Sequence, residues 1–203
     1  MIGLFTAAEI RAAEAPALAA TRDGALMQRA ATGLASVCLR LLDTVYGRRV
    51  VLLVGTGNNG ADALFAGAHL ARRGALVTAV LLDAGRAHPA GLAALRLAGG
   101  RVVGTGEAAA AIGRADLVLD GMLGIGGRGG LRSEAAELAR LAGEAAALTV
   151  AVDVPSGVDA DTGAVQGAAF PAMHTVTFGA VKLGLVAGRF GARPMSIRCS
   201  SPA

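Results

Sequence analysis

The sequence predicts an α/β protein with a mostly parallel sheet and helices on both faces, and three observations predict it. Residues 50–54, 76–83, 116–122 and 148–154 are runs rich in branched aliphatics with little polar alternation, the pattern of strands buried on both faces. Stretches of helical composition separate these runs, and strands alternating with helices imply parallel neighbours joined by crossovers. The first run leads into Gly55-Thr56-Gly57-Asn58-Asn59-Gly60-Ala61-Asp62 and then into a helical stretch. Strand, glycine-rich turn and helix open many phosphate- and nucleotide-binding units.

The elements follow in order. Residues 6–20 read as a helix, with Thr6 and Glu9 at capping-box spacing and Pro16 inside. Thr21 or Asp23 is the candidate cap of a second helix over 24–44, whose apolar positions Leu26, Met27, Ala30, Leu34, Val37, Leu41 and Leu42 recur at three- and four-residue steps. After the opening strand, residues 63–73 are helical and stop at Gly74. A strand over 76–83, a short helix over 88–98 started by His88, a brief strand at 101–103 and a turn or two of helix over 107–112 come next. A strand over 116–122, a glycine-rich loop over 124–130 and a helix over 133–143 capped by Ser133 precede the strand over 148–154. A loop over 158–167 and a late strand over 174–179 complete the core, and residues 195–199 form a weak edge strand before a disordered end. The 203 residues thus divide as one domain, with N-terminal helices over 1–48, a core over 49–188 and a weak tail over 189–203.

Composition narrows the function classes. Hydrophobic residues make up 54% and aromatics 3%, which suits closely packed helices and argues against disorder. No apolar run reaches about 18 residues without a charge, so no membrane partner is expected. Glu9, Arg11 and Glu14 interrupt the N-terminal apolar stretch and spoil a signal peptide, making the cytoplasm the expectation. The net charge is +4, but the arginines are scattered and lack interleaved aromatics, which speaks against a nucleic-acid partner. Cys38 and Cys199 are too few and too far apart for a disulfide scaffold or a metal cluster.

Ligands of an open parallel sheet bind at the carboxyl ends of its strands, and the unusual polar residues fall there. Asn58, Asn59 and Asp62 follow the first strand; Asp120 ends a later one; Asp153 and Ser156 end another; Lys182, the only lysine, follows the last. Two glycine loops and a helix N-terminus suit a phosphorylated or dinucleotide ligand. Gly55, Gly57 and Gly60 match G-x-G-x-x-G, and Asp83 stands about 20 residues on, where a ribose-binding acid would stand. Asp62 speaks against an ordinary dehydrogenase, because a carboxylate in the first helical turn competes with a pyrophosphate for the same amides. Asn59, Asp120 and Ser156 offer oxygens from three strand ends and could hold a hard cation; with one full charge among them, K+ suits better than Ca2+ or Mg2+. A plain hydrogen-bond network is the alternative. Lys182 is placed to pair with a carboxylate or a phosphate, and Asp159 and Asp161 to order their own loop through Asx turns.

Taken together, the blocks GTGNNGAD, DLVLDGMLGIGG, AVDVPSGVDADTG and TVTFGAVKLG resemble, in order and spacing, the NAD(P)H-hydrate epimerase family (the YjeF N-terminal domain) over roughly residues 4–188. The resemblance implies a three-layer α/β/α sandwich with a Rossmann-like, mostly parallel sheet, usually a homodimer. It implies an isomerase of nicotinamide cofactor repair that interconverts the R and S forms of hydrated NADH and NADPH, which carry added water at C6 of the ring. An ADP- or ATP-dependent hydrate dehydratase then acts on the S form. In bifunctional relatives that dehydratase follows as a second domain, absent here, which makes the chain resemble a truncated one.

The matching motifs imply substrate contacts from Asn58, Asn59, Gly60, Ala61 and Asp62, from Gly124, Ile125, Gly126, Gly127, Arg128, Gly129 and Gly130, and from Asp153. They imply a K+ held by Asn59, Asp120 and Ser156, the trio already reached from the strand ends. Epimerisation at C6 requires the C–O bond to break and re-form or the ring to open, with protons moving at the C6 hydroxyl. Asp153, held rigidly at a strand end, is the candidate acid/base residue. The chain departs from the family pattern at Ala61, where a glycine is usual, at Arg29, where an asparagine is usual, and after Gly188, where the usual final strand is lost. The glycines of 124–130 predict a loop that orders on binding. Two readings compete: a non-catalytic nucleotide-binding or protein-interaction module of the same fold, and an NAD-dependent dehydrogenase, which lacks a clear His/Lys pair.

Overall fold

The computed structural model describes residues 3–22, 24–127, 129–188 and 196–200. The chain starts with β1 (Leu4–Phe5), α1 (Ala7–Ala20) and α2 (Ala25–Leu42). The core then runs β2 (Arg49–Val54), α3 (Asn58–Arg72), β3 (Leu76–Leu81), α4 (Pro89–Leu97), β4 (Arg101–Gly104), a 3-10 turn (Thr105–Glu107), α5 (Ala108–Ile112), β5 (Leu117–Gly121), α6 (Ser133–Glu144) and β6 (Leu148–Val152). It ends with β7 (His174–Phe178), β8 (Val181–Lys182), α7 (Leu183–Ala187) and β9 (Ser196–Ser200).

Seven strands form one sheet in the order β4-β3-β2-β5-β6-β7-β9, and every pairing is parallel. From β2 the chain first builds outward through β3 and β4, then returns to place β5 on the other side of β2. That reversal opens a crevice above the carboxyl ends of β2 and β5, the place where doubly wound sheets bind ligands. A separate parallel pair, β1 with β8, sets Phe5 opposite Lys182.

The uniform hydrophobicity of the strands reflects burial on both faces. Val50, Leu52 and Val54 of β2 pack with Leu34, Val37 and Cys38 of α2, with Leu64 and Leu70 of α3 and with Leu92 and Leu95 of α4. Val51 and Leu53 pack on the opposite face with Ile112 of α5 and Leu138 and Ala142 of α6. These layers make the predicted α/β/α sandwich. A smaller cluster of Ala7, Val154, Val158, Ala160, Val181 and Leu185 ties α1 to the loops beyond β6.

Helix starts divide into those the side chains set and those they do not. The Thr6–Glu9 capping box is formed in both directions, at 2.8 Å from Thr6 N to Glu9 Oε2 and 3.3 Å from Glu9 N to Thr6 Oγ1. His88 caps α4 by accepting from Gly91 N at 3.1 Å. The cap position of α2 is instead Gly24, at φ 77, three residues beyond Thr21; Asp23 lies outside the described residues. Ser133 is the first residue of α6 at φ 49, and the cap position falls to Arg132 with no side-chain bond. Asp159 does order its own loop, accepting from Thr162 N at 2.8 Å. Asp161 instead anchors α1, accepting from Ala7 N at 2.5 Å across 154 residues. The edge strand expected over 195–199 is present as β9, paired along β7 from His174↔Ser196 to Phe178↔Ser200. The disordered end expected after it lies outside the described residues.

Candidate functional site

The rim above β2, β5 and β6 brings the predicted polar residues together, and two glycines let it close. A Cβ at Gly55 would lie 1.9 Å from the carbonyl oxygen of Met122, so only glycine lets the turn after β2 touch the turn after β5. A Cβ at Gly124 would lie 2.6 Å from Asn59 Oδ1. Asn59 can therefore cross from α3 and donate through Nδ2 to Val152 O at 2.6 Å and Leu123 O at 3.0 Å. One side chain thus ties three strand ends together.

Asp120 is fully buried at the end of β5. Its Oδ1 accepts from Ser156 Oγ at 2.6 Å and Met122 N at 3.1 Å, and its Oδ2 accepts from Ser156 N at 2.8 Å. Ser156 Oγ in turn accepts from Leu123 N at 2.9 Å. Burial pushes the Asp120 carboxyl up to about 6 against these hydrogen bonds. Among the described residues no basic side chain pairs with it, and no three His, Cys, Asp or Glu side chains gather for a metal ion. Asn59, Asp120 and Ser156 do meet around the backbone of Leu123. Their donor set is oxygen with a single, uncompensated carboxylate, which fits a monovalent hard cation better than a transition metal. Asn59 Nδ2 is spent on two carbonyls, leaving Oδ1 as the atom available to an ion.

Asp153 follows β6 at φ 68, a left-handed conformation that strains most side chains and that aspartate tolerates better than most. Its Oδ1 is held by Lys182 Nζ in a buried ion pair and accepts from Thr177 Oγ1 at 3.1 Å and Phe178 N at 3.3 Å. Lys182 Nζ also donates to Thr177 Oγ1 and Phe178 O, each at 3.0 Å. The partner of the single lysine is thus a carboxylate. All of these bonds fall on Oδ1 of Asp153, and Oδ2 takes none of them.

Asp62 lies in the second turn of α3 and is buried, with no hydrogen-bond partner for Oδ1. It therefore does not occupy the amides at the start of the helix, contrary to the competition expected from its sequence position. Those of Asn58, Asn59 and Gly60 lack an intrahelical acceptor, and no side chain caps them. Burial, then the charge of Asp153, then that of Glu14 on α1 push the Asp62 carboxyl up to about 8. Asp153 is thus ion-paired, while Asp62 holds its proton at neutral pH.

The remaining expected residues divide. Ala61 is buried in the helix without a positive φ, so alanine suits it better than glycine by about 1 kcal/mol. Asn58 is exposed at the helix start. In the glycine loop Gly127 N donates to Gly124 O at 2.8 Å, and Arg11 Nη2 of α1 donates to Ile125 O at 3.0 Å. Gly126 has open space where a side chain would be, Gly129 takes φ 76, and Gly130 leads to the Leu131–Ala168 bridge. Arg128 lies outside the described residues. Arg29 is exposed on α2, and Asp83 closes a turn with Gly85 N at 3.0 Å. Sequence reasoning missed Thr177, Glu14, Arg11 and the backbone of Leu123. None lies in a motif quoted for the site except Thr177 and Leu123, which read there as strand and loop filler.

A doubly wound parallel sheet with polar strand ends and an uncapped helix start at its switch point defines the class: a three-layer α/β protein with a Rossmann-like sheet. Residues 23–184 match the model of the family described as YjeF-related protein N-terminus, and the chain belongs to that family. It is 51% identical over 177 residues to a bifunctional NAD(P)H-hydrate repair enzyme of Mycobacterium tuberculosis, covering 85% of this chain and 36% of that one. The chain thus spans about a third of that relative's length. It is 45% identical over 194 residues to an NAD(P)H-hydrate epimerase of Microbacterium testaceum, covering 93% of this chain and 73% of that one. A yeast protein of known crystal structure shares the fold with a TM-score of 0.78 at 19% identity, over 97% of this chain and 88% of that one.

Proposed function

We propose that the chain is an NAD(P)H-hydrate epimerase, an isomerase that interconverts the R and S forms of hydrated NADH and NADPH. The observation that carries this reading is a pair of carboxyls at the same strand-end rim: Asp153, ion-paired with Lys182, and Asp62, buried, unpartnered at Oδ1 and pushed up to about 8. An acid and a base at one rim are what proton movement at C6 requires. The names of the relatives support the substrate, and they do not favour a module without turnover.

The uncapped amides of α3 suit the pyrophosphate of the cofactor, with the positive end of the helix facing it. Gly124 lies next to Asn59, so the loop it opens would cover the other side of the ligand. Asp153 Oδ2 is free to exchange a proton with the C6 hydroxyl while Lys182 fixes Oδ1. Asn59 through Oδ1, together with Asp120 and Ser156, would hold K+. When bound, that ion would offset the charge of buried Asp120 and order the strand ends around Leu123. A separate hydrate dehydratase acting on the S form, a homodimer and a cytoplasmic setting belong to the same reading.

The test is a coupled assay on mixed R and S hydrated NADH with an S-specific dehydratase from another source. The dehydratase alone consumes the S form and leaves R to its slow spontaneous conversion. Adding this protein should drive loss of the remaining R form at a rate proportional to its concentration. No acceleration of that loss refutes the epimerase reading.

A further inference from the structure

We propose that Asp62 is a second catalytic residue, the acid that protonates the ring nitrogen while Asp153 takes the proton of the C6 hydroxyl, so that R and S interconvert by opening of the ring. The proposal rests on the epimerase reading and specifies how that site would act.

Three observations carry it. Asp62 Oδ1 is the buried side-chain atom left without a hydrogen-bond partner among the described residues, on the helix whose start forms the crevice. A buried polar atom left unpaired calls for a ligand or a task. Asp153 stands close enough for its charge to act on Asp62, and its Oδ1 is saturated by Lys182, Thr177 and the Phe178 amide. Each of the two carboxyls thus keeps one oxygen outside these hydrogen bonds, Oδ1 of Asp62 and Oδ2 of Asp153. The charged groups facing Asp62 are Asp153, with Lys182 behind it, and Glu14 of α1. Together with burial, the two carboxylates keep the Asp62 proton in place at neutral pH.

This arrangement matches a carbon that bears both a hydroxyl and a ring nitrogen. Asp153 Oδ2 accepts the hydroxyl proton, and the O–H electrons form the C6=O bond of an aldehyde. The C6–N1 bond breaks, its electron pair goes to N1, and N1 takes the proton of Asp62. Rotation about C5–C6 turns the other face of the aldehyde toward N1. Closure reverses each transfer: N1 adds to C6, its proton returns to Asp62, and the oxygen takes the proton from Asp153. Both residues end as they began, and no water, oxidant or reductant is consumed. Neighbouring carboxyls suffice, whereas expelling water from one face of the ring and adding it to the other needs groups that serve both faces.

The deciding experiment uses 6R-hydrated NADH carrying oxygen-18 in the C6 hydroxyl, in unlabelled water, with the intact chain. The S form collected at low conversion should retain the label, after correction for spontaneous exchange. Loss of one label per inversion overturns the ring-opening route. In parallel, Asp62→Asn should lower kcat by about 10²–10⁴-fold. Its affinity for the S hydrate, read by thermal shift, should stay within roughly threefold, and the fall in rate above about pH 8 should disappear from its residual activity. Wild-type kcat in that variant overturns the role of Asp62. If the parent chain fails to epimerise, the functional reading itself falls; label loss or an active Asp62→Asn variant in a working enzyme defeats this inference alone.

Discussion

Lys182, the chain's only lysine, is 1% exposed, and its ammonium is spent on Asp153. Removing either partner would leave an uncompensated buried charge. Asp62 has the opposite problem, a buried carboxyl with nothing to receive its charge. An aspartate in the unfolded chain loses its proton near pH 4, whereas the folded chain holds that of Asp62 to about 8. Between these values the folded state binds the extra proton, so raising the pH through that window removes stability. Asparagine cannot ionise. Asp62→Asn should therefore gain on the parent as pH climbs from about 4 to 8, by on the order of 1 kcal/mol per unit. Denaturant midpoints at pH 5 and pH 8 check this, and an identical pH trend for both proteins would contradict it. The motif GTGNNGAD singles out Asp62 in the sequence. Its isolation was not legible there, because burial and the approach of Asp153 and Glu14 arise only when α1, α3 and β6 pack together. The Asp153–Lys182 pair was likewise hidden by a separation of 29 residues, although both strand ends were expected on one rim.

At the scale of elements, the glycine fingerprint acquires a different meaning. Gly55 lies against the Met122 carbonyl, a Cβ at Gly60 would sit 2.3 Å from the Gly55 carbonyl oxygen, and Gly57 alone of the three opens onto free space. Two of the three glycines serve chain packing, and one is left to admit a ligand. Gly124 belongs to the packing class, which leads to a paired test. Gly124→Ala should push Asn59 off its carbonyl partners and cost about 1–3 kcal/mol. Gly126→Ala, with open space and no positive φ, should stay within about 0.5 kcal/mol of the parent. Equal effects in thermal melts would contradict the crossing role of Asn59. The strand-turn-helix of β2 and α3 was readable because its aliphatic run and its glycines act locally. The start of α6 was not: Ser133 has the right chemistry for a cap, but the path from the loop places it inside the helix at φ 49.

At the scale of the molecule, parallel strands and two helical layers followed from the alternation of buried runs with helices. Strand order did not, since nothing local in β5 says that it returns to the far side of β2. β9 was legible as an edge strand from its composition, but its pairing with β7 was not. Helix α1 precedes the span matched to the family, yet Arg11 and Glu14 bring it to the site and Asp161 anchors its start. If K+ binds at Asn59, Asp120 and Ser156, it stabilises the whole fold by mass action, by about 2.7 kcal/mol at a hundredfold excess over Kd. Melting should then occur several degrees higher in K+ than in Na+ at equal ionic strength, and equal melting temperatures would remove the ion from the account.

The most direct measurement follows the C6 proton of pure 6R-hydrated NADH by NMR, with this chain as the sole protein added. The account predicts approach to the R:S mixture that the pure S form also reaches, at a rate proportional to enzyme concentration and lost in Asp153→Asn. Conversion at the spontaneous rate in the presence of the folded chain would contradict it.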